Sequence, residues 1–92
     1  MIVTVKSFAT LRRIVPNEIS VELPDHANVA DLLNDLEIRY PDLSAELRDA
    51  GTSLHPLVNI LRNGRNIHFL EGLHTQLADG DLVALFPPAG GG

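Results

Sequence analysis

The 92-residue sequence contains no cysteine and no tryptophan. Without thiols there is no disulfide, no cysteine-held zinc or iron–sulfur cluster and no thiol nucleophile, and the redox compartment stays open. Basic residues are scarce, seven Lys and Arg against twelve Asp and Glu, for a net charge of -5. A phosphate backbone would be repelled, so nucleic acid is not an expected partner. No apolar run approaches the roughly 20 residues of a membrane span. The uncharged stretch Leu82–Gly92 is broken by Pro87-Pro88 and by its final glycines. Lys6 interrupts the N-terminal apolar run and no small-residue cleavage pattern follows it, so a cytoplasmic location without membrane contact is expected.

Catalytic constellations are missing as well. The one glycine run has no helix behind it to present amides to a phosphate. His26, His55, His68 and His74 are scattered, with no pair at zinc-site spacing. Ser7, Ser20, Ser44 and Ser53 lie in no nucleophile elbow. Among the carboxylates, Asp31, Asp35 and Glu37 read as the wet face of a helix, and Asp79 and Asp81 as the flanks of a turn. Arg12, Arg13, Arg62 and Arg65 read either as solvated loop residues or as a small basic edge. No active site of its own is expected.

What is present is a well-patterned single domain, 45% hydrophobic and 21% charged. Ile2–Phe8 is β-branched and predicts a strand; Glu18–Leu23 alternates with Ile19, Val21 and Leu23 inward, and Pro16-Asn17 supplies turn chemistry between the two. Asn28 as N-cap, with Val29, Leu32, Leu33, Leu36 and Tyr40 at helical spacing, predicts an amphipathic helix ending before Pro41. A short helical piece over 42–48 is expected to stop at Gly51. Leu57–Arg62 and Arg65–Phe69 predict a hairpin about Asn63-Gly64. A turn over 73–77 and the bend Asp79-Gly80-Asp81 lead to a last strand, Leu82–Phe86. The first and last strands are the most apolar and belong at the sheet centre. The expected class is α+β: a mixed sheet of four to five strands with one main helix across it, over residues 1–86, and a tail over 87–92.

The tail draws attention. Pro87-Pro88 makes a stiff exit, and Ala89, Gly90, Gly91 and Gly92 carry nothing larger than a methyl group. Six extended residues reach roughly 20 Å, enough to thread a narrow channel in another protein. A terminal carboxylate, with a pKa of about 3.3–3.7, is a poor electrophile and needs activation, most simply by attack on ATP. No ATP-binding motif occurs in the sequence, so a partner must activate it. Composition alone reads the tail equally as a frayed end.

The segments Val58-Asn59-Ile60-Leu61-Arg62-Asn63-Gly64, Leu77-Ala78-Asp79-Gly80-Asp81 and Ala84-Leu85-Phe86-Pro87-Pro88, closing in glycines, resemble the MoaD/ThiS ubiquitin-like sulfur carriers. The opening Val3–Ala9 with Leu11-Arg12 fits too, and the likeness is nearest to the MoaD-related branch of archaeal small modifier proteins. The family ends in two glycines after a variable pair; Ala89 and Gly90 fill that pair here and leave Gly91-Gly92 as the diglycine. The resemblance implies a β-grasp fold. It also implies an E1-like enzyme that uses ATP to adenylate Gly92, followed by thiocarboxylate formation or linkage to a target lysine. No cofactor is bound by the carrier itself. The family's hydrophobic sheet surface binds the activating enzyme and, in the MoaD branch, the large subunit of molybdopterin synthase. Strand parity puts Phe8, Leu61 and Phe86 on the sheet face away from the helix, as a candidate partner surface near the tail. The alternative is a non-covalent β-grasp adaptor acting through that face.

Overall fold

The computed structural model describes residues 1–49 and 53–88. β1 (Ile2–Ser7) pairs antiparallel with β2 (Glu18–Glu22), Val3 opposite Val21 and Val5 opposite Ile19. The two are joined by more than a tight turn. A 3-10 segment, Ala9–Arg13, intervenes, and its Leu11, with Val15 beyond, plugs one end of the core.

α1 (Val29–Arg39) starts where Asn28 predicts. Asn28 accepts from the Asp31 amide and Asp31 accepts from the Asn28 amide, both at 2.9 Å, so two otherwise orphaned donors are satisfied reciprocally. The helix stops at Tyr40, because a residue before proline is pushed out of the helical region. Val29, Leu32, Leu33 and Leu36 are fully buried against Val3, Val5, Ile60, Val83 and Leu85 of the sheet. α2 (Leu43–Leu47) is the short second helix and runs directly into β3 (Arg48–Asp49), which pairs with β4 (Ser53–Leu54) in a small separate ladder. That ladder is absent from the sequence expectations, and the expected stop at Gly51 lies outside the described residues.

Folding α2 back over α1 overturns the wet-face reading of Glu37. Four residues after Leu33, Glu37 borders the buried stripe, and its side chain is only 12% exposed. Arg48 grips it with Nε and Nη2 at 2.9 and 2.7 Å, and Ser44 donates to it at 2.7 Å. The Arg48 hydrogen bond, opposed by burial and aided by Ser44 and the Arg48 charge, holds the Glu37 carboxyl below the usual range.

β5 (Asn59–Arg62) and β6 (Arg65–Asn66) flank Asn63-Gly64, whose φ angles of 49° and 84° suit the tight turn that matches strand twist. The returning strand is shorter than its composition predicts. The Asn66 side chain accepts from the His68 amide at 2.9 Å and starts a 3-10 turn over Ile67–Phe69, which takes Phe69 out of the sheet. β7 (Leu82–Phe86) has the bounds read from the sequence. The sheet order is β2-β1-β7-β5-β6, with β7 parallel to β1 and antiparallel to β5. The two most apolar strands thus occupy its middle. A five-stranded mixed sheet wrapped around one long helix is a ubiquitin-like β-grasp.

Candidate functional site

β7 carries the chain from the centre of the sheet to its rim, and the prolines after Phe86 end its ladder because neither can donate a hydrogen bond. At this exit the Phe86 ring stacks on Phe8, with centroids 4.4 Å apart and planes 9° from parallel. Phe8 is seated by its own backbone, whose N–H donates to the Leu85 carbonyl at 3.1 Å. Arg12, from the 3-10 segment, places its guanidinium 5.2 Å from the Phe8 centroid while its Nε donates to the Ser7 carbonyl at 2.9 Å. Ring stacking and the cation each contribute on the order of 0.5–1 kcal/mol.

Beside Phe86 opens a groove of about 640 Å³, lined by Ala9, Thr10, Asn59, Leu61 and Asn66 and by Pro87 and Pro88. Asn66 donates to Asn59 at 3.1 Å and joins two of these lining residues. The structure therefore brings Leu61 and Phe86 to one groove and Phe86 and Phe8 into one stack. All three are half-buried, seated on the sheet and still presented to solvent. On their other side, Pro87 and Pro88 border a more polar hollow of about 500 Å³ that includes Arg48, Asp49 and His55. The tail root stands between the two. Ala89, Gly90, Gly91 and Gly92 lie outside the described residues.

The opposite end of β7 is built from charge. Asp81, read from sequence as a turn flank, is only 6% exposed. It accepts from Arg62 Nε at 2.8 Å, from Asn63 Nδ2 at 2.9 Å and from the Ala78 amide at 2.8 Å. Burial opposes its charge, but the bonds from Arg62, Asn63 and Ala78 and the Arg62 charge outweigh that, holding the carboxyl below its ordinary range. Arg62 is accordingly no solvated loop residue, and the suggested basic edge loses it. Asn63 also accepts from the Leu82 amide at 2.9 Å, which ties the β5–β6 hairpin to the start of β7.

Among the described residues no cluster of three or more His, Asp or Glu is placed to hold a metal, and no helix is long and apolar enough to cross a membrane. His55 accepts from the Leu57 amide at 3.0 Å, and His26 sits 3.2 Å from Gln76. Sequence reasoning did not foresee that Phe69, read as part of a strand, would be the most exposed of the large apolar residues described, at 83%. The capping Asn66 upstream was the available signal.

Comparison with known proteins agrees with this geometry. A small archaeal modifier protein 3 from Haloferax volcanii is 43% identical over 86 residues, covering 92% of each chain. The sulfur carrier protein CysO of Mycobacterium tuberculosis is 40% identical over 63 residues, 66% of this chain and 68% of its own. The crystal structure of SAMP1 from Haloferax volcanii superposes with a TM-score of 0.86 at 31% identity, over 100% of both chains. The ThiS family model matches residues 5–92, from inside β1 through the whole tail, and this chain belongs to the ThiS family.

Proposed function

We propose that the chain is a carrier whose Gly92 carboxylate is adenylated by an E1-like partner. The activated carboxyl is then converted to a thiocarboxylate for sulfur donation or joined to a lysine of a target protein. The observation that carries the reading is the exit of the chain from the central strand at Pro87-Pro88, beside an apolar groove, ahead of four residues with no side chain larger than a methyl. Relatives named as modifier and as sulfur carrier fit one shared step, carboxyl activation, and differ only in the nucleophile that follows.

The division of labour follows from chemistry. The chain supplies a slim acyl group and a docking face at Phe8, Leu61 and Phe86. The partner supplies ATP and the charge stabilisation that attack on a phosphate demands. A thiocarboxylate made this way suits an acceptor such as the large subunit of a molybdopterin synthase, and the acyl-adenylate itself suits an amine. The fixed φ of Pro87 and Pro88 stiffens the exit from the sheet.

ATP–pyrophosphate exchange with the adenylating partner tests this. Exchange is expected with the intact chain and is expected to vanish when the Gly92 carboxyl is capped as an amide. Exchange that survives capping would contradict the proposal. The adaptor reading is favoured by the Phe8–Phe86 stack alone, and deleting Gly91-Gly92 separates the two. A carrier loses activity and an adaptor keeps it.

A further inference from the structure

We propose that Asn63 deamidates spontaneously through attack by the Gly64 nitrogen, and that the product breaks the hydrogen-bonded cluster around Asp81. The inference stands whether or not Gly92 is activated.

An Asn or Asp followed by glycine can close a five-membered ring, because no side chain blocks the approach of the next backbone nitrogen. The sequence holds two such pairs, Asn63-Gly64 and Asp79-Gly80, and both are exposed. What separates them is the bonding of the two groups that must meet. At Asp79-Gly80 both are tied to Ile2. The Asp79 carboxylate accepts from the Ile2 amide at 2.7 Å, and the Gly80 N–H donates to the Ile2 carbonyl at 2.8 Å. At Asn63-Gly64 only the side chain is tied. Its Nδ2 donates to Asp81 and its Oδ1 accepts from the Leu82 amide, each at 2.9 Å, which draws the carboxamide toward β7. The Gly64 N–H makes no hydrogen bond among the described residues, and the space beside Gly64 is open. The nucleophile is free, and only the electrophile is restrained.

In the step itself the Gly64 nitrogen loses its proton to water and attacks the side-chain carbonyl carbon of Asn63. A C–N bond forms, the bond to Nδ2 breaks, and ammonia leaves with the electron pair and a proton from water. Water then adds to either ring carbonyl and opens the ring to aspartate or isoaspartate. Aspartate sets a second carboxylate against Asp81 in place of a donor, and like charges so close repel. Isoaspartate lengthens the two-residue turn by one carbon and disturbs the pairs it registers, Arg62 with Arg65 and Leu61 with Asn66. Leu61 and Asn66 line the groove beside the tail root, so the change reaches that face.

The test ages the full chain in mildly alkaline buffer and digests it after glutamate, which separates residues 47–71 from 72–92. Mass and fragmentation of the folded sample should place aspartate and isoaspartate at position 63. Unfolding in urea should speed the change at both positions, by the larger factor at 79, where two groups are released rather than one. In folded chain Asp81→Ala should speed the change at position 63 at least threefold, whereas Glu37→Ala, which breaks a different ion pair, should not. Should Asp81→Ala not fold, the urea comparison still decides. An unchanged position 63 in the folded chain would overturn the proposal. So would a urea factor at 63 equal to or above that at 79, or equal acceleration by Glu37→Ala. Asn63→Asp, which supplies the product without the chemistry, should lower the urea midpoint at neutral pH, and less so near about pH 4. An unshifted midpoint would overturn the consequence for Asp81.

Discussion

The two ends of β7 are built from opposite materials. At its start, Asp81 is buried and accepts three hydrogen bonds, with Arg62, Asn63 and Leu82 tied into one polar lock. At its finish, Phe86 stacks on Phe8 over an apolar groove, and no side-chain hydrogen bond fixes the Phe86 or Pro87 position among the described contacts. The difference is one of directionality. Hydrogen bonds to a buried carboxylate specify a single geometry and fail when any partner is removed. Apolar contacts tolerate exchange of one neighbour for another, so a partner protein can replace solvent on the exit face without breaking anything that holds the fold. Entry fixes the register of the strand, and exit leaves an apolar face open to the docking proposed above.

The largest stability effect should therefore come from the entry end. Asp81→Ala strands Arg62, Asn63 and the Ala78 amide, and should cost about 2–3 kcal/mol in urea unfolding, below the value of a fully buried pair because Arg62 is 31% exposed. A loss under about 1 kcal/mol would break the contrast. The same lock has a pH signature. The Asp81 and Glu37 carboxyls are both held below their ordinary range in the fold. The stability they contribute is complete above an unfolded-state pKa of about 4 and is lost as pH falls through the lowered folded values. Melting temperature should drop on acidification from pH 5 toward pH 2 (roughly the carboxylate range), less steeply in Asp81→Asn.

At the exit end the expectation reverses. Phe86→Ala should cost about 1 kcal/mol of stability, since the ring is half exposed. It should weaken partner binding by about 2 kcal/mol, roughly thirtyfold, as an aromatic anchor does. Calorimetry on both quantities sharpens the comparison; a stability loss larger than the binding loss would reverse it. The smallest effect lies just inside the exit. Ser7 is fully buried and its hydroxyl has no hydrogen-bond partner among the described residues. Ser7→Ala should stabilise the domain by up to about 1 kcal/mol, read as a raised urea midpoint.

Local chemistry carried much of the fold into view. Asn28 and Asp31 are three residues apart and mark the start of α1. Asn63-Gly64 demands two positive φ angles in sequence, and the bounds of Leu82–Phe86 follow from an acidic bend before it and two prolines after it. Long-range polar pairs stayed hidden for a physical reason. Glu37 and Arg48 are eleven residues apart and Arg62 and Asp81 nineteen, so each looks solvated until a third element folds over it. Asn66 is intermediate: its composition reads as strand, and only the side-chain bond to His68 turns the chain away. At the site, alternation along three strands placed Phe8, Leu61 and Phe86 on one face and apolarity put the first and last strands at the sheet centre, but the Phe8–Phe86 stack also depends on the parallel register of β1 and β7, which no local pattern states.

The central claim concerns a single carboxyl group and is tested most directly there. After incubation with ATP, the adenylating partner and a sulfur source, the C-terminal peptide ending in Gly92 is weighed by mass spectrometry. One oxygen exchanged for sulfur at the Gly92 carboxyl is the predicted result; a peptide of unchanged mass, from chain shown to bind the same partner, would contradict the account.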